Sequence, residues 1–296
     1  MTPRLEVNCQ NELGESAFWS VASQRVFWVD GFAPTIQSWS PGSRESNHLT
    51  LTASPLGMIA ETSLPQTIAL TDPGGIALVD FATGDRVPLA HPERGREGIG
   101  YNDGKVDRYG RLWVSTYDAS EVEPRGCLWV LENGRAPRLA ESGIPVVNGP
   151  GFSPDAGSLY LSDSIGRRVL AYEMRADGTL GSKRVLAQLA GEEGLPDGLT
   201  VDSEGCVWVA LWDGGRVIRF SPKGERLDVV RLPVPRVTSV AFGGADLCRL
   251  FITTARYGLS EADLAAVPES GALFSANAGI PGLAATPLPM PFRCGM

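Results

Sequence analysis

The chain has 296 residues and a formal net charge of −8, with its acidic residues spread along the whole sequence. Dispersed acidity of this kind argues against binding through a nucleic-acid backbone, and no apolar run approaches the ~20 residues of a membrane span. Glycine and proline make up about a fifth of the residues, which is typical of proteins with many tight turns between short strands.

The N-terminus and the cysteines indicate a cytoplasmic protein. Residues 1–19 lack the apolar stretch of a secretory signal. The five cysteines are odd in number and show no C-x-x-C spacing, so we expect reduced thiols. His48 and His91 are the only histidines, which excludes a multi-histidine zinc site, and the segments around them, "SNHLT" and "LAHPE", are expected to be surface loops.

Similar segments with an aromatic or apolar second strand recur along the chain. The clear ones span residues 14–31, 101–116, 148–164, 196–212 and 237–255, and a weaker one spans 55–72. One residue in the middle of each second strand serves as a marker, and the markers are 40, 45, 47, 48 and 43 residues apart. The six markers are Trp28, Ile68, Trp113, Tyr160, Trp208 and Phe251. A period of about 40–50 residues predicts an all-β, six-bladed β-propeller.

Details inside the segments agree with this fold. Strings such as "DRYGRLWVS" and "DSEGCVWVA" place Asp and Gly at a hairpin turn before a strand-forming run. The tryptophan markers are expected to pack between blades, and "LSEADLAAVPES" (259–270) to form a short helical turn. Residues 1–12 are expected to pair with the last blade near 271–277 and close the ring. We predict a single propeller domain over residues 1–296.

One position in the repeat changes from segment to segment. Glu15, Asn102, Asn148 and Asp197 lie 13, 11, 12 and 11 residues before their markers, near the start of the predicted innermost strands. In a propeller these starts surround one mouth of the central channel, so the four side chains are expected to converge there. The comparable position of the last blade falls near Thr238 and Ser239.

Two carboxylates and two amides meeting in a channel would repel each other or lack partners unless a cation lay between them. Hard oxygen ligands predict one divalent cation, with Ca²⁺ first and Mg²⁺, Mn²⁺, Zn²⁺ or Fe²⁺ as alternatives. Taken singly, Asn102 and Asp197 would also suit turns in which they bond their own backbone. Four such residues in register favour the metal site.

At these residues the sequence resembles the senescence marker protein-30/gluconolactonase/luciferin-regenerating enzyme family, which includes regucalcin. The similarity covers nearly the whole chain and is carried by "LGESAFW", "NDGKVDRYGRLWVST", "NGPGFSPD" and "PDGLTVDSEGCVWVALWDGGRVIRFSP". The stretch "LPVPRVTSVAFGGADLCRLFITTAR" is similar to the bacterial sugar-lactonase branch. The resemblance implies a six-bladed propeller with one divalent metal, and hydrolysis of a sugar lactone.

Matched position by position, the resemblance implies that Glu15, Asn148 and Asp197 ligate the metal. It also implies that Asn102 bonds the substrate and that Asp197 doubles as the general base. The expected partner is a small-molecule lactone, with no nucleic acid and no membrane.

The sequence departs from the family at the part of the site that contacts sugar hydroxyls. Gly100 replaces an arginine that commonly precedes the motif asparagine, and "STY" (115–117) replaces "GTM". An acid often found just beyond is absent, because Ala119 and Ser120 stand there. A less polar or bulkier lactone is therefore an alternative substrate, with Tyr101, Tyr117 and Trp212 as walls of its site.

Together with these residues, the resemblance implies a metal-dependent lactonase that opens an aldono-1,4- or 1,5-lactone with activated water and Asp197 as base. No G-x-S-x-G elbow supports a serine nucleophile. Two alternatives remain open at this point: hydrolysis of a non-sugar lactone, another ester or a phosphoester on the same scaffold, and a non-enzymatic calcium-binding propeller that binds protein partners.

Overall fold

The computed structural model describes residues 1–295, and they form six four-stranded antiparallel sheets arranged as a ring. Each of the first five blades contains four strands that are consecutive in sequence. Blade 1 contains β2 (Gly14–Ser20), β3 (Arg25–Asp30), β4 (Thr35–Trp39) and β5 (Ser46–Thr50). Blade 2 contains β6 (Ile59–Glu61), β7 (Thr67–Asp72), β8 (Gly75–Asp80) and β9 (Arg86–Ala90). Blade 3 contains β10 (Ile99–Val106), β11 (Leu112–Asp118), β12 (Gly126–Leu131) and β13 (Arg138–Ile144).

Blades 4 and 5 repeat the pattern, and blade 6 combines both ends of the chain. Blade 4 contains β14 (Val147–Phe152), β15 (Ser158–Asp163), β16 (Arg168–Met174) and β17 (Leu180–Gln188). Blade 5 contains β18 (Leu195–Val201), β19 (Val207–Trp212), β20 (Arg216–Phe220) and β21 (Arg226–Arg231). Blade 6 contains β22 (Val237–Gly243), β23 (Arg249–Thr254), β24 (Leu273–Asn277) and β1 (Arg4–Val7). The six-bladed propeller predicted from the marker spacing is confirmed.

The N-terminal strand closes the ring as expected. Strand β1 pairs antiparallel with β24, with Arg4 opposite Ser275 and Leu5 opposite Phe274. The segment between β23 and β24 contains the expected helical turn, α1 (Glu261–Ala266), whose N-cap Ser260 accepts a hydrogen bond from the Asp263 amide. A short 3₁₀ turn, Gly191–Glu193, precedes β18. Within residues 1–295, no helix has the length and apolarity needed to span a bilayer.

The hydrophobic core consists of clusters between neighbouring blades. Trp28, Trp113 and Trp208 are at most 1% exposed, and each packs in such a cluster, which confirms that they are core residues. Asp107 shows how one turn supports this packing: its buried carboxylate accepts hydrogen bonds from Trp113 Nε1 (2.8 Å) and Arg111 Nε (2.6 Å). Asp202 bonds Trp208 and Arg219 in the same way in blade 5.

Replacing Asp107 with alanine is expected to lower the free energy of unfolding by about 3–5 kcal/mol, because it leaves a buried guanidinium without its partner. Urea denaturation measures this loss. The matched control is Asp155→Ala, which removes an exposed turn aspartate that bonds Ser153 and Gly157. Equal losses for the two variants would contradict the structural role of the buried pair.

One local prediction is wrong and a second is correct in part. The segment "SNHLT", expected to be a loop, is the outermost strand of blade 1, where His48 lies opposite Gln37. In "LAHPE" the first two residues end β9 and the rest form the expected loop, where the half-buried His91 ring lies 2.9 Å (Nδ1 to Oη) from Tyr101. The outer strands and the loops at the blade edges are similarly polar, so composition alone did not distinguish a strand from a loop there.

The two ends of the channel differ. The C-terminal segment 278–295 crosses one end, where its backbone bonds blade 6 at Leu247, blade 2 at Glu61 and blade 3 at Gly134. Residues 283–286 line a cavity of about 290 Å³ at that end. The other end, at the starts of the innermost strands, carries the residues predicted to form the site.

Candidate active site

A β-bulge interrupts the innermost strand in five of the six blades, at the same place in each. The pairing of the first two strands shifts between Glu15 and Phe18, Tyr101 and Gly104, Asn148 and Gly151, Pro196 and Leu199, and Val237 and Val240. Bulges bend a strand and change the direction of its side chains. The first strands of successive blades contact one another around the channel, so these bulges all face it.

All four oxygen-bearing side chains predicted from the repeat line one cavity of about 240 Å³. They come from two adjacent positions of the bulge. Glu15 and Asn148 are the last paired residues before it, whereas Asn102 and Asp197 are its first unpaired residues. This one-residue difference accounts for part of the unequal offsets seen in the sequence.

Hydrogen bonds fix the orientation of Asn148. Its Oδ1 accepts from Asn102 Nδ2 at 2.9 Å, and its Nδ2 donates to Ser164 Oγ at 3.0 Å. Ser164 in turn donates to the Pro196 carbonyl at 2.7 Å. The amide of Asn102 also donates to the Val147 carbonyl, so its Nδ2 is fully used. Each amide oxygen therefore has a fixed direction and an acceptor site left for a ligand.

Within the described part of the chain, the carboxylates of Glu15 and Asp197 lack cationic partners. Among residues 1–295, neither Glu15 nor Asp197 forms an ion pair. Burial, and then the Asp197 and Asp103 carboxylates, raise the pKa of Glu15 well above its ordinary value. Burial and the Asp103 carboxylate likewise raise the pKa of Asp197, which is only 7% exposed. Two such groups repel each other unless a proton or a cation is bound between them.

Asp103 is a third acid at the centre of the channel, and the sequence analysis did not assign it. Its carboxylate accepts hydrogen bonds from the Gly104 amide (2.8 Å) and the Gly149 amide (3.1 Å). Burial raises its pKa, and the nearby Lys105 opposes that shift. Asp103 therefore holds the backbone next to Asn148 and adds negative charge beneath the cavity.

This donor set fits a divalent cation. It offers two carboxylates without cationic partners and oriented amide oxygens, and Ca²⁺ and Mg²⁺ bind such oxygen ligands. Within the described chain, no three His, Cys, Asp or Glu side chains are grouped to hold a metal ion. A site here would therefore depend on the Asn148 oxygen as well as on the two acids.

The innermost strands of blades 2 and 6 contribute no oxygen-bearing side chain to the cavity. In blade 2 the chain passes so close to blade 3 that a Cβ on Gly57 would lie 2.6 Å from the Asn102 carbonyl oxygen. In blade 6 the expected residues have structural partners: Thr238 bonds Thr253, and Ser239 accepts from the Ala17 amide. Neither of the two lines the cavity.

The predicted wall residues Tyr101, Tyr117 and Trp212 also line the cavity. The Tyr101 ring packs in the core between blades 2 and 3, and its hydroxyl bonds His91 and the Glu93 amide. Tyr117 and Trp212 are half-buried. Sequence reasoning missed other lining residues, namely Phe32, Glu121, Ser164, Ile165 and Tyr257. Glu121 stands two residues beyond Ala119 and brings an acid to the cavity from a turn residue with φ of 56°.

Comparisons with known proteins agree with this architecture. The 6-deoxy-6-sulfogluconolactonase of Pseudomonas putida is 36% identical over 286 residues, covering 92% of this chain and 93% of that protein. Regucalcin of Sus scrofa is 33% identical over 288 residues, covering 94% and 95%.

A crystal structure of regucalcin from Agrobacterium tumefaciens, described as a calcium-binding protein, superposes with a TM-score of 0.90 at 26% identity, covering 96% of each chain. The model of the SMP-30/Gluconolactonase/LRE-like region matches residues 13–256, which contain all four oxygen-bearing residues predicted from the repeat. This chain therefore belongs to the SMP-30/gluconolactonase/LRE-like family.

Proposed function

We propose that this protein is a lactonase that uses one divalent cation held by Glu15, Asn148 and Asp197. The observation that carries the proposal is that two carboxylates, the half-buried Glu15 and the buried Asp197, line one open cavity together with an oriented amide oxygen. Within residues 1–295, neither carboxylate forms an ion pair. Similarity to a sulfogluconolactonase and to regucalcins supports the lactonase activity and the choice of Ca²⁺ as the first candidate ion.

A cation bound at these residues supplies Lewis-acid chemistry, since it polarises an ester carbonyl and makes a neighbouring water more acidic. Asp197 accepts a proton from the attacking water as the new C–O bond forms. It returns that proton to the ring oxygen as the ester C–O bond breaks, so the product is a hydroxy acid. The Ser162 hydroxyl, which donates to the Asp197 carbonyl at 2.7 Å, holds this residue in place.

Asn102 orients the substrate in this scheme. Because both of its N–H groups bond the protein, only its Oδ1 is available, and it accepts a hydrogen bond from a substrate hydroxyl or faces the cation. Tyr117 and Trp212, with the edge of Tyr101, form the walls around the ring. Apolar walls lower the local dielectric, and this strengthens the electrostatic interactions at the base of the cavity when a substrate fills it.

Two substrate classes are consistent with this chemistry. A sugar lactone, aldono-1,4 or 1,5, is supported by the gluconolactonase relative. A non-sugar lactone is supported by the aromatic wall and by Gly100, which offers no side chain to a sugar hydroxyl.

A pH-indicator assay over a lactone panel, with and without a chelator, tests the proposal. We expect acid release that a chelator abolishes and added Ca²⁺, Mg²⁺ or Mn²⁺ restores. Activity only on phosphoesters or open-chain esters would replace the lactonase with another hydrolase. Binding of the ion without any turnover would support a calcium-binding propeller instead.

A further inference from the structure

Gly100 and Tyr117 are directly opposite each other in the β10–β11 pairing, so side chains at the two positions compete for the same volume. A Cβ on Gly100 would lie 2.3 Å from Cε1 and 2.4 Å from Cζ of Tyr117. Gly100 is not among the residues with positive φ, so the requirement for glycine comes from space and not from backbone conformation. The Tyr117 ring thus occupies the volume that any side chain at position 100 would need.

An apolar rim surrounds the mouth of the cavity, and five of the six blades contribute to it. Each contributor comes from the end of the second strand or the loop just after it. They are Phe32, Tyr117, Ile165, Trp212 and Tyr257. Phe32 and Tyr257 are 39% and 52% exposed, and their ring centroids are 4.6 Å apart. Exposed apolar side chains grouped around a concave site indicate a surface that binds an apolar ligand group.

The charges in the cavity are all negative. None of its lining residues is Lys, Arg or His, whereas Glu15, Glu121 and Asp197 are acidic. The nearby Arg236 stacks on Trp212 at 4.9 Å and is paired with Asp213 at 2.9 Å. A divalent cation would balance the charges of Glu15 and Asp197 but not that of Glu121. An anionic group on a substrate would therefore find no positively charged partner here.

We propose that the cavity selects an uncharged lactone whose ring carries an apolar substituent, with Tyr117 as the specificity-determining residue. This inference rests on the lactonase function proposed above. The ring ester lies at the base, near Glu15, Asn148 and Asp197. The substituent lies along the Tyr117 ring and leaves the cavity between the exposed aromatic side chains of the rim.

Three lactones with the same six-membered ring test the proposal: δ-decalactone, glucono-1,5-lactone and 6-deoxy-6-sulfogluconolactone. They are compared by kcat/KM with the full-length protein and saturating Ca²⁺. We expect the alkyl lactone to exceed gluconolactone by about tenfold or more, as is typical when apolar groups are accommodated in a pocket. The sulfo compound, an anion, is expected to be the poorest substrate.

Variants at position 117 test the assigned residue. Tyr117→Ala is expected to lower kcat/KM for the alkyl lactone by about tenfold, mainly through KM, and to lower kcat/KM for gluconolactone by less, so that the ratio of the two values falls. Tyr117→Phe keeps the wall and should retain the preference. The matched control is Tyr109→Ala, which removes an exposed tyrosine that does not line the cavity.

A double-mutant cycle tests whether side chains at positions 100 and 117 compete for the same volume. Gly100→Ala alone should displace the Tyr117 ring and weaken the alkyl preference, but it should cost nothing further in the Tyr117→Ala background. Circular dichroism confirms that each variant is folded.

The outcomes distinguish failure of the proposed lactonase function from failure of the proposed substrate preference. If no lactone is opened with any of the divalent ions, the proposed function fails and this inference fails with it. If gluconolactone or the sulfo compound is preferred, the lactonase stands and the inference is wrong. Additive effects in the cycle, or an unchanged preference in Tyr117→Ala, would remove Tyr117 from its role.

Discussion

Replacing Asp197 with asparagine is expected to lower kcat for lactone hydrolysis by about 10²–10⁴-fold, the usual contribution of a positioned general base. Asparagine keeps an oxygen in place of the carboxylate, so the variant should still bind a divalent ion, although more weakly. Asp197→Ala removes the oxygen as well, and we expect it to lose both ion binding and turnover. Steady-state kinetics and calorimetric ion titration measure the two properties separately.

The matched control is Asp155→Asn, the same substitution at an exposed turn of blade 4, which should leave both properties unchanged. If Asp197→Asn turned over at the wild-type rate, Asp197 could not be the base. If Asp197→Ala bound the ion as tightly as the wild type, it could not be a ligand.

Removing the ion is expected to destabilise the protein in a pH-dependent manner. Burial raises the pKa of both Glu15 and Asp197, and neighbouring carboxylates add to the shift: Asp197 and Asp103 at Glu15, and Asp103 and Glu121 at Asp197. These two groups therefore bind more protons in the folded ion-free protein than in the unfolded chain. The contribution of these two groups to the free energy of unfolding should therefore be greatest below the ordinary carboxylate pKa of about 4 and decrease as the pH rises towards the raised values. Saturating ion should reverse the loss, by about 2.7 kcal/mol at a hundred times Kd.

Thermal melts at pH 5 and pH 8, with chelator and with Ca²⁺, measure this effect. Glu15→Gln removes one of the repelling charges, so it should raise Tm in chelator at pH 8 and reduce the stabilisation by Ca²⁺. The exposed Glu225→Gln serves as the control for loss of one acid. A Tm that did not respond to ion, chelator or Glu15→Gln would contradict a joint site.

The ring of blades could be predicted because its determinants are local and repeated. Each blade carries a turn with Asp and Gly followed by a buried aromatic or apolar strand, and Trp28, Trp113 and Trp208 made the period visible. The outermost strands could not be predicted in the same way. In β5 no residue is fully buried, so the sequence shows no alternation of apolar and polar residues.

The convergence of Glu15, Asn102, Asn148 and Asp197 followed from the repeat, but their exact geometry did not. The bulges insert one residue into the inner strands of blades 1, 3, 4 and 5 and allow side chains from two adjacent positions to reach the same cavity. No residue pattern in the sequence separates Glu15 from Ser16 as the position that faces the channel. Asp103 was overlooked for the same reason, because it stands beside Asn102 in the bulge.

Contacts that join distant residues were the least predictable part of the site. The orientation of Asn148 by Ser164 depends on a loop after β15 that returns to the channel. Glu121 reaches the cavity only because the chain turns sharply after β11, with the Glu121 amide bonding the Asp118 carbonyl. The steric conflict between the Tyr117 ring and a side chain at position 100 follows from the pairing of β10 with β11, and the sequence by itself does not specify that register.

Diffraction from a crystal soaked with Mn²⁺, recorded at an energy where manganese scatters anomalously, tests the central claim most directly. We expect a single strong anomalous peak in the channel, within about 2.6 Å of oxygens of Glu15, Asn148 and Asp197 together. A peak bound to other residues, or no peak at saturating Mn²⁺, would contradict the account.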